Sequence, residues 1–253
     1  MKTLNFKLQL CILNFAFLII LLLPHFAEAG LIIKAPPYIG LQEGLVGFWS
    51  FDGPDMFSTK ATDRSGQGNN GTLTNGPKRA IGRIGQALEF DGVDDYVNVS
   101  DSSSLDITGA VTVTAWFKPD TIGDTDTIVS KRSAWSATGI PYELSITGQF
   151  NRIQWRVVGN TNDLSSPDNE VVVGEWHFVS GTWDGTTQRI YKNGIEIVNA
   201  SNTNTITSNN SSVRIGELPD GSGELFDGHI DEVRIYNRAL SADEIRRVYN
   251  MGR

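Results

Sequence analysis

The chain has 253 residues, with 21 basic against 29 acidic side chains and a net charge of −8. That balance argues against nucleic acid or an anionic membrane surface as a partner, because both need a basic face. A single cysteine, Cys11, leaves no intrachain disulfide to hold the fold, so a hydrophobic core must do so.

Residues 1–29 read as a secretory signal. Lys2 and Lys7 precede an apolar run from Leu8 to Leu23, and Ala27-Glu28-Ala29 is a small-x-small cleavage site before Gly30. The run is short for a spanning helix. Cleavage would remove Cys11, release the protein outside the cell and leave no membrane span. Residues 30–44, with Pro36-Pro37, read as a tether. From Leu45 to the end, at 253, the chain reads as one β domain. Short apolar or alternating runs recur at Leu45–Phe51, Ala87–Phe90, Tyr96–Val99, Val111–Phe117, Thr127–Lys131, Tyr142–Ile146, Ile153–Val158, His177–Trp183, Arg189–Lys192, Ile195–Val198, Val213–Gly216 and Gly228–Tyr236. Gly, Asn, Asp and Ser clusters separate them. Asn193-Gly194 is the sharpest turn, because both residues tolerate the positive φ angles of a type I′ hairpin. The polar stretch Asn199–Ser212 reads as a mobile loop. Ser241, with Glu244 three residues on, forms a capping box for one short helix carrying Ile245 and Val248. The pattern predicts an all-β antiparallel two-sheet sandwich with one short C-terminal helix.

A few residues stand out chemically. Asp231 alternates with Val233 and Ile235, so it is predicted to turn a carboxylate toward a core, which is costly unless that charge is compensated. Asp63–Gly68 (DRSGQG) begins like an EF-hand loop, but its twelfth position is Thr74 and no helices flank it. Asp91-Gly92-Val93-Asp94-Asp95 reads first as an Asp-Gly hairpin turn. Trp135, in the small-residue loop Ser133–Gly139 with Tyr142 close behind, is a candidate platform for the face of a sugar ring. Support for catalysis is slight. Neither His177 nor His229 sits in a Ser/His/Asp pattern, and no strand carries carboxylates in a Glu-x-Asp-x-x-Glu spacing, which leaves only distant loops to bring together the pair that glycoside hydrolysis needs.

Gly228–Ser241 (GHIDEVRIYNRALS) closely resembles the closing segment of laminin-G-like domains of the concanavalin A-like jelly-roll superfamily. GFWSFD (Gly47–Asp52), DRSGQGNNGTL (Asp63–Leu73), ALEFDGVDDYV (Ala87–Val97) and WHFVSGTWD with IYKNG (Trp176–Asp184, Ile190–Gly194) match the same family in order. The resemblance spans Leu45 to Tyr249 and implies a jelly roll. It also implies a calcium ion between the first strand, the Asp63 loop and the closing strand, held by Asp52, Asp63, Asn69 and Asp231. The resemblance is specific for fold and not for ligand; the reading of the whole chain is a secreted, non-catalytic binding module with a glycan as favoured ligand. A glycoside hydrolase or lyase on the same scaffold, and an adhesive domain contacting extracellular proteins, are the alternatives.

Overall fold

A computed structural model of the chain describes residues 40–133, 140–157, 163–218 and 224–252. The chain divides into Met1–Pro36 and Pro37–Arg253, and all of these residues belong to the second unit.

The strands in chain order are β1 (Leu45–Trp49), β2 (Met56–Phe57), β3 (Lys60–Ala61), β4 (Gly71–Thr74), β5 (Lys78–Ile81), β6 (Gln86–Asp91) and β7 (Tyr96–Val99). They continue as β8 (Val111–Pro119), β9 (Thr125–Lys131), β10 (Tyr142–Thr147), β11 (Arg152–Val157) and β12 (Leu164–Ser165). The last five are β13 (His177–Trp183), β14 (Thr187–Lys192), β15 (Ile195–Ser201), β16 (Val213–Ile215) and β17 (Asp227–Tyr236), and one helix, α1 (Ala242–Met251), follows. The first sheet runs β15-β14-β13-β8-β17-β6-β5 with β1 paired to β17, and the second runs β12-β11-β10-β9-β16-β7-β4-β3-β2. Every pairing is antiparallel. This is the expected jelly-roll sandwich.

Alternation explains the core. Val97 and Val99, Leu144 and Ile146, Ile153 and Trp155, and Val213 and Ile215 project from the second sheet onto Val113, Phe117, Val179 and Ile190 of the first. Gly181 on β13 faces the Trp155 ring so closely that an added Cβ would lie 2.2 Å from it. A second cluster covers the outer face of the first sheet, where Trp116, Phe178, Tyr191 and Tyr236 meet Leu240, Ile245 and Val248 of the helical segment. The capping box forms as expected: Ser241 Oγ accepts the Glu244 N–H at 3.3 Å and Glu244 Oε2 accepts the Ser241 N–H at 2.8 Å. Asn193 (φ 51°) and Gly194 (φ 80°) make the expected positive-φ turn.

Two readings of the sequence change. The polar stretch after β15 is pinned: Asn202 is buried, its carbonyl accepts the Trp183 indole N–H at 2.8 Å, and Ile206 joins the core. The end of the expected tether is packed as well. Leu41 is buried in the helix-side cluster, and Arg238 donates to the carbonyls of Gly40 and Glu43.

Candidate functional site

Asp63 and Asn69 form one network at an end of the sandwich. Asp63 Oδ1 accepts the N–H groups of Phe48 (2.9 Å) and Ser65 (2.8 Å), while Oδ2 accepts the Ser65 hydroxyl (2.7 Å) and the Asn69 N–H (2.9 Å). Asn69 is equally committed. Its amide donates to Val46 O and Ser104 Oγ, its side-chain oxygen accepts from Ser102 Oγ, and its carbonyl accepts the Trp49 indole N–H. These bonds tie the 63–69 loop to β1 and to residues 102–104, far apart in sequence.

The tied loops wall a groove of about 600 Å³. Its polar lining comes from Gln42, Ser65, Gln67, Ser103, Ser104, Asp106, Thr108 and Asn237, and its floor includes Leu45, Val46 and Ile107. The one carboxylate, Asp106, lies 3.3 Å from Lys131 Nζ, which is itself fully buried and also bonded to Asp101. Among the described residues, no arginine or lysine lines the groove. Amides and hydroxyls that both donate and accept, beside a single carboxylate that shares its cation with Asp101, are the chemistry that recognises a polyol.

Asp52 and Asp231 lie elsewhere, beside the turn between β5 and β6. Along β17, Ile230 stands opposite Phe117 and Asp231 opposite Trp116, but the next registered pair with β8 is Arg234 and Thr114. The irregularity is a β-bulge in which Glu232 takes φ 55°. Phe117 belongs to the inter-sheet core and Trp116 to the helix-side cluster. Asp231 therefore shares the outer face with Trp116, not the core face with Val233 and Ile235 as alternation predicted. Its Oδ2 accepts the Ile84 N–H at 2.9 Å, and its Oδ1 is buried with no hydrogen-bond partner. Burial raises its pKa to about 8, the Ile84 N–H pulls the other way, and the neighbouring Glu232 charge raises it further. Asp52 Oδ1 accepts the Gln86 N–H at 2.9 Å.

The four residues expected to hold calcium thus fall into two groups. The oxygens of Asp63 and Asn69 are taken up by protein donors, and the carboxylates of Asp52, Asp63 and Asp231 do not converge on one point. As a set they do not fit a single ion that needs six to eight oxygens. Among the described residues, Asp91, Asp94 and Asp95 are the group whose ligand atoms do lie within 4.8 Å of one another. They build the expected turn: Asp91 Oδ1 accepts the Val93 N–H and Asp95 Oδ2 accepts the Asp91 N–H.

Of the two residues expected at a sugar, Trp135 lies outside the described residues. Tyr142 is fully buried, with its hydroxyl 3.3 Å from Leu105 O, and belongs to the core. Beside it lies a charged layer the sequence reading missed. Glu143 is fully buried and accepts from Arg132 (3.2 Å) and Arg156 (2.6 Å), and Arg156 also reaches Asp163 (3.0 Å). Each carboxylate there is held by a guanidinium, an arrangement that fixes charge rather than moving protons. The alternation of Tyr142, Leu144 and Ile146 was the only signal, and it marks Glu143 as turned away from the core without saying that it is covered.

A sequence model described as the concanavalin A-like lectin/glucanases superfamily matches residues 91–246. No curated protein matches the sequence. Among solved structures, the binding domain of Paraclostridial Mosquitocidal Protein 1 aligns with a TM-score of 0.67 at 19% identity, over 83% of this chain and 53% of that one. Domain 4 of AbnA, a GH43 extracellular arabinanase from Geobacillus stearothermophilus in complex with arabinotriose, aligns at 0.63 and 22% identity over 81% and 98%. The binding domain of botulinum neurotoxin serotype G aligns at 0.62 and 18% over 82% and 51%. The chain therefore spans about half the length of the two toxin domains. At these identities the likeness is one of fold.

Proposed function

The chain belongs to the concanavalin A-like lectin/glucanases superfamily, and on that footing we propose that it is an extracellular, non-catalytic binding module whose ligand is a glycan. The observation that carries this reading is the groove at the end of the sandwich. Its polar lining is mostly amide and hydroxyl groups, on loops cross-tied by Asp63 and Asn69, with Asp106 sharing the Lys131 ammonium with Asp101. Such a groove offers many neutral donors and acceptors, two of which, the Ser65 and Ser104 hydroxyls, are already positioned by hydrogen bonds to Asp63 and Asn69. The structural neighbour solved with arabinotriose supports a sugar on this scaffold, and the secretory pattern of residues 1–29 supports display outside the cell.

The test is a glycan array probed with residues 30–253, followed by affinity measurements on Gln67→Ala and Asn237→Ala. Both side chains are exposed at the groove, so each variant should keep the wild-type melting temperature while losing roughly tenfold in affinity per removed hydrogen-bonding group. A protein that binds nothing on the array, or variants that bind like wild type, would remove the groove from consideration.

A further inference from the structure

On the far side of the start of β1 lies a second cavity, of about 480 Å³, on the outer face of the first sheet. The bulge in β17 builds its floor. A non-glycine residue at φ 55° is strained, and Glu232 is held there. Through that kink Glu232 and Arg234, 4% and 6% exposed, come to line the cavity as an ion pair. A buried pair of this kind is weak evidence for stability, since well-packed apolar residues do as well or better. Arg234 also lies 4.0 Å from the centre of the Phe48 ring.

The charges lining the cavity are not all spoken for. Arg234 is paired with Glu232, and Arg64 is paired with Asp55 at 3.1 Å. Asp52 also lines the cavity, and no ion pair among the described residues includes it; Oδ1 takes the Gln86 N–H. The turn opposite is shaped to admit it, because a Cβ on Gly85 would stand 2.0 Å from Asp52 Oδ1. Apart from Gln42, the remaining walls are largely apolar: Leu41, Leu45, Phe48, Ile84, Tyr236 and Met251. We propose that this cavity is a binding site for a primary alkylammonium group, such as a lysine side chain, with Asp52 taking the ammonium and the apolar walls taking its methylene stem. An anionic ligand would meet the uncompensated carboxylate, and a bare metal ion would gain nothing from hydrocarbon walls. This site is independent of the glycan reading, although both cavities touch Gln42 and Leu45.

The experiment titrates residues 30–253 with N-acetyl-lysine methylamide, and separately with its norleucine analogue, following backbone amide shifts by NMR. The lysine derivative should bind saturably, with shifts concentrated at β1, residues 83–86 and β17, and the norleucine analogue should bind at least tenfold more weakly. Asp52→Asn should cut lysine affinity about tenfold. Arg64→Ala, at a half-exposed side chain, should raise it several-fold by removing a competing cation. Equal binding of the norleucine analogue, or Asp52→Asn and Arg64→Ala both binding like wild type, would overturn the proposal. So would calcium chloride alone producing the shifts while the lysine derivative produces none.

Discussion

Replacing Asp231 by Asn should make the protein more stable in mild alkali and flatten its dependence on pH. Asp231 is wholly buried, one of its oxygens has no partner, and its pKa is raised to about 8 from 3.8. The folded protein thus holds a proton that the unfolded chain releases. The stability this contributes is complete below the unfolded pKa, falls as pH rises, and is gone once pH passes about 8. Each pH unit in that interval costs about 1.4 kcal/mol. The informative window is pH 7 to 9. His177 and His229 have pKa values lowered by burial, so their effect on stability lies below it, and Asp126, raised by burial to about 6, has already ionised. Between pH 7 and 9 the wild type should lose roughly 1.5 kcal/mol through Asp231, or about 3–6 °C in melting temperature for a domain of this size. Asp231→Asn keeps an oxygen for the Ile84 N–H and carries no charge, so its melting temperature should hardly change across the window and should exceed that of wild type at pH 9. Calorimetry in EDTA reads both curves. A wild type as flat as the variant would mean that Asp231 is ionised throughout, and that the argument from its unpartnered oxygen is wrong.

Calorimetry in EDTA and in millimolar calcium should give coincident melts, because Asp63 and Asn69 already spend their oxygens on protein donors; a rise in calcium that Asp231→Asn abolishes would instead place an ion at the Asp231 carboxylate. Gly181→Ala should cost about 1–3 kcal/mol, since its Cβ would press on the rigid Trp155 ring across the sandwich, and a chevron or melt of that variant reads the loss. Ser241→Ala should remove about 1 kcal/mol by breaking the capping box, while Glu244, whose pKa is lowered to about 2 chiefly by its hydrogen bond from Arg238, adds stability that disappears as pH falls from 4.5 toward 2. Mass spectrometry of exported material should find Gly30 at the N-terminus; retention of residues 1–29 in a membrane fraction would contradict the signal reading.

Why some of this was legible in the sequence and some was not comes down to the range of the interactions involved. Alternation within one strand is a local property, so β7 and β13 were read to the residue, and the Ser241 box was read from four consecutive positions. The short edge strands escaped because their residues are not buried in a regular pattern. β5 is Lys78-Arg79-Ala80-Ile81, mostly exposed, and its charges guard an open sheet edge rather than mark a core. Asp63 and Asn69 stood out by type, but the sequence could not say what they would face. Asn69 binds Ser102 and Ser104, more than thirty residues away, and only the folded pairing of those loops converts expected metal ligands into the braces of a groove. Asp231 is the reverse case. Its oddity was visible, yet the side of the sheet it occupies depends on a single extra residue in β17, where a glutamate adopts a backbone angle that nothing in its own type favours. That one slip moves a carboxylate from the face where it would disrupt the core to the face where it lies under the Arg83–Ile84 turn, and it leaves Glu232 and Arg234 lining a cavity. The bulge, more than any residue type, separates the functional reading of this strand from the structural one.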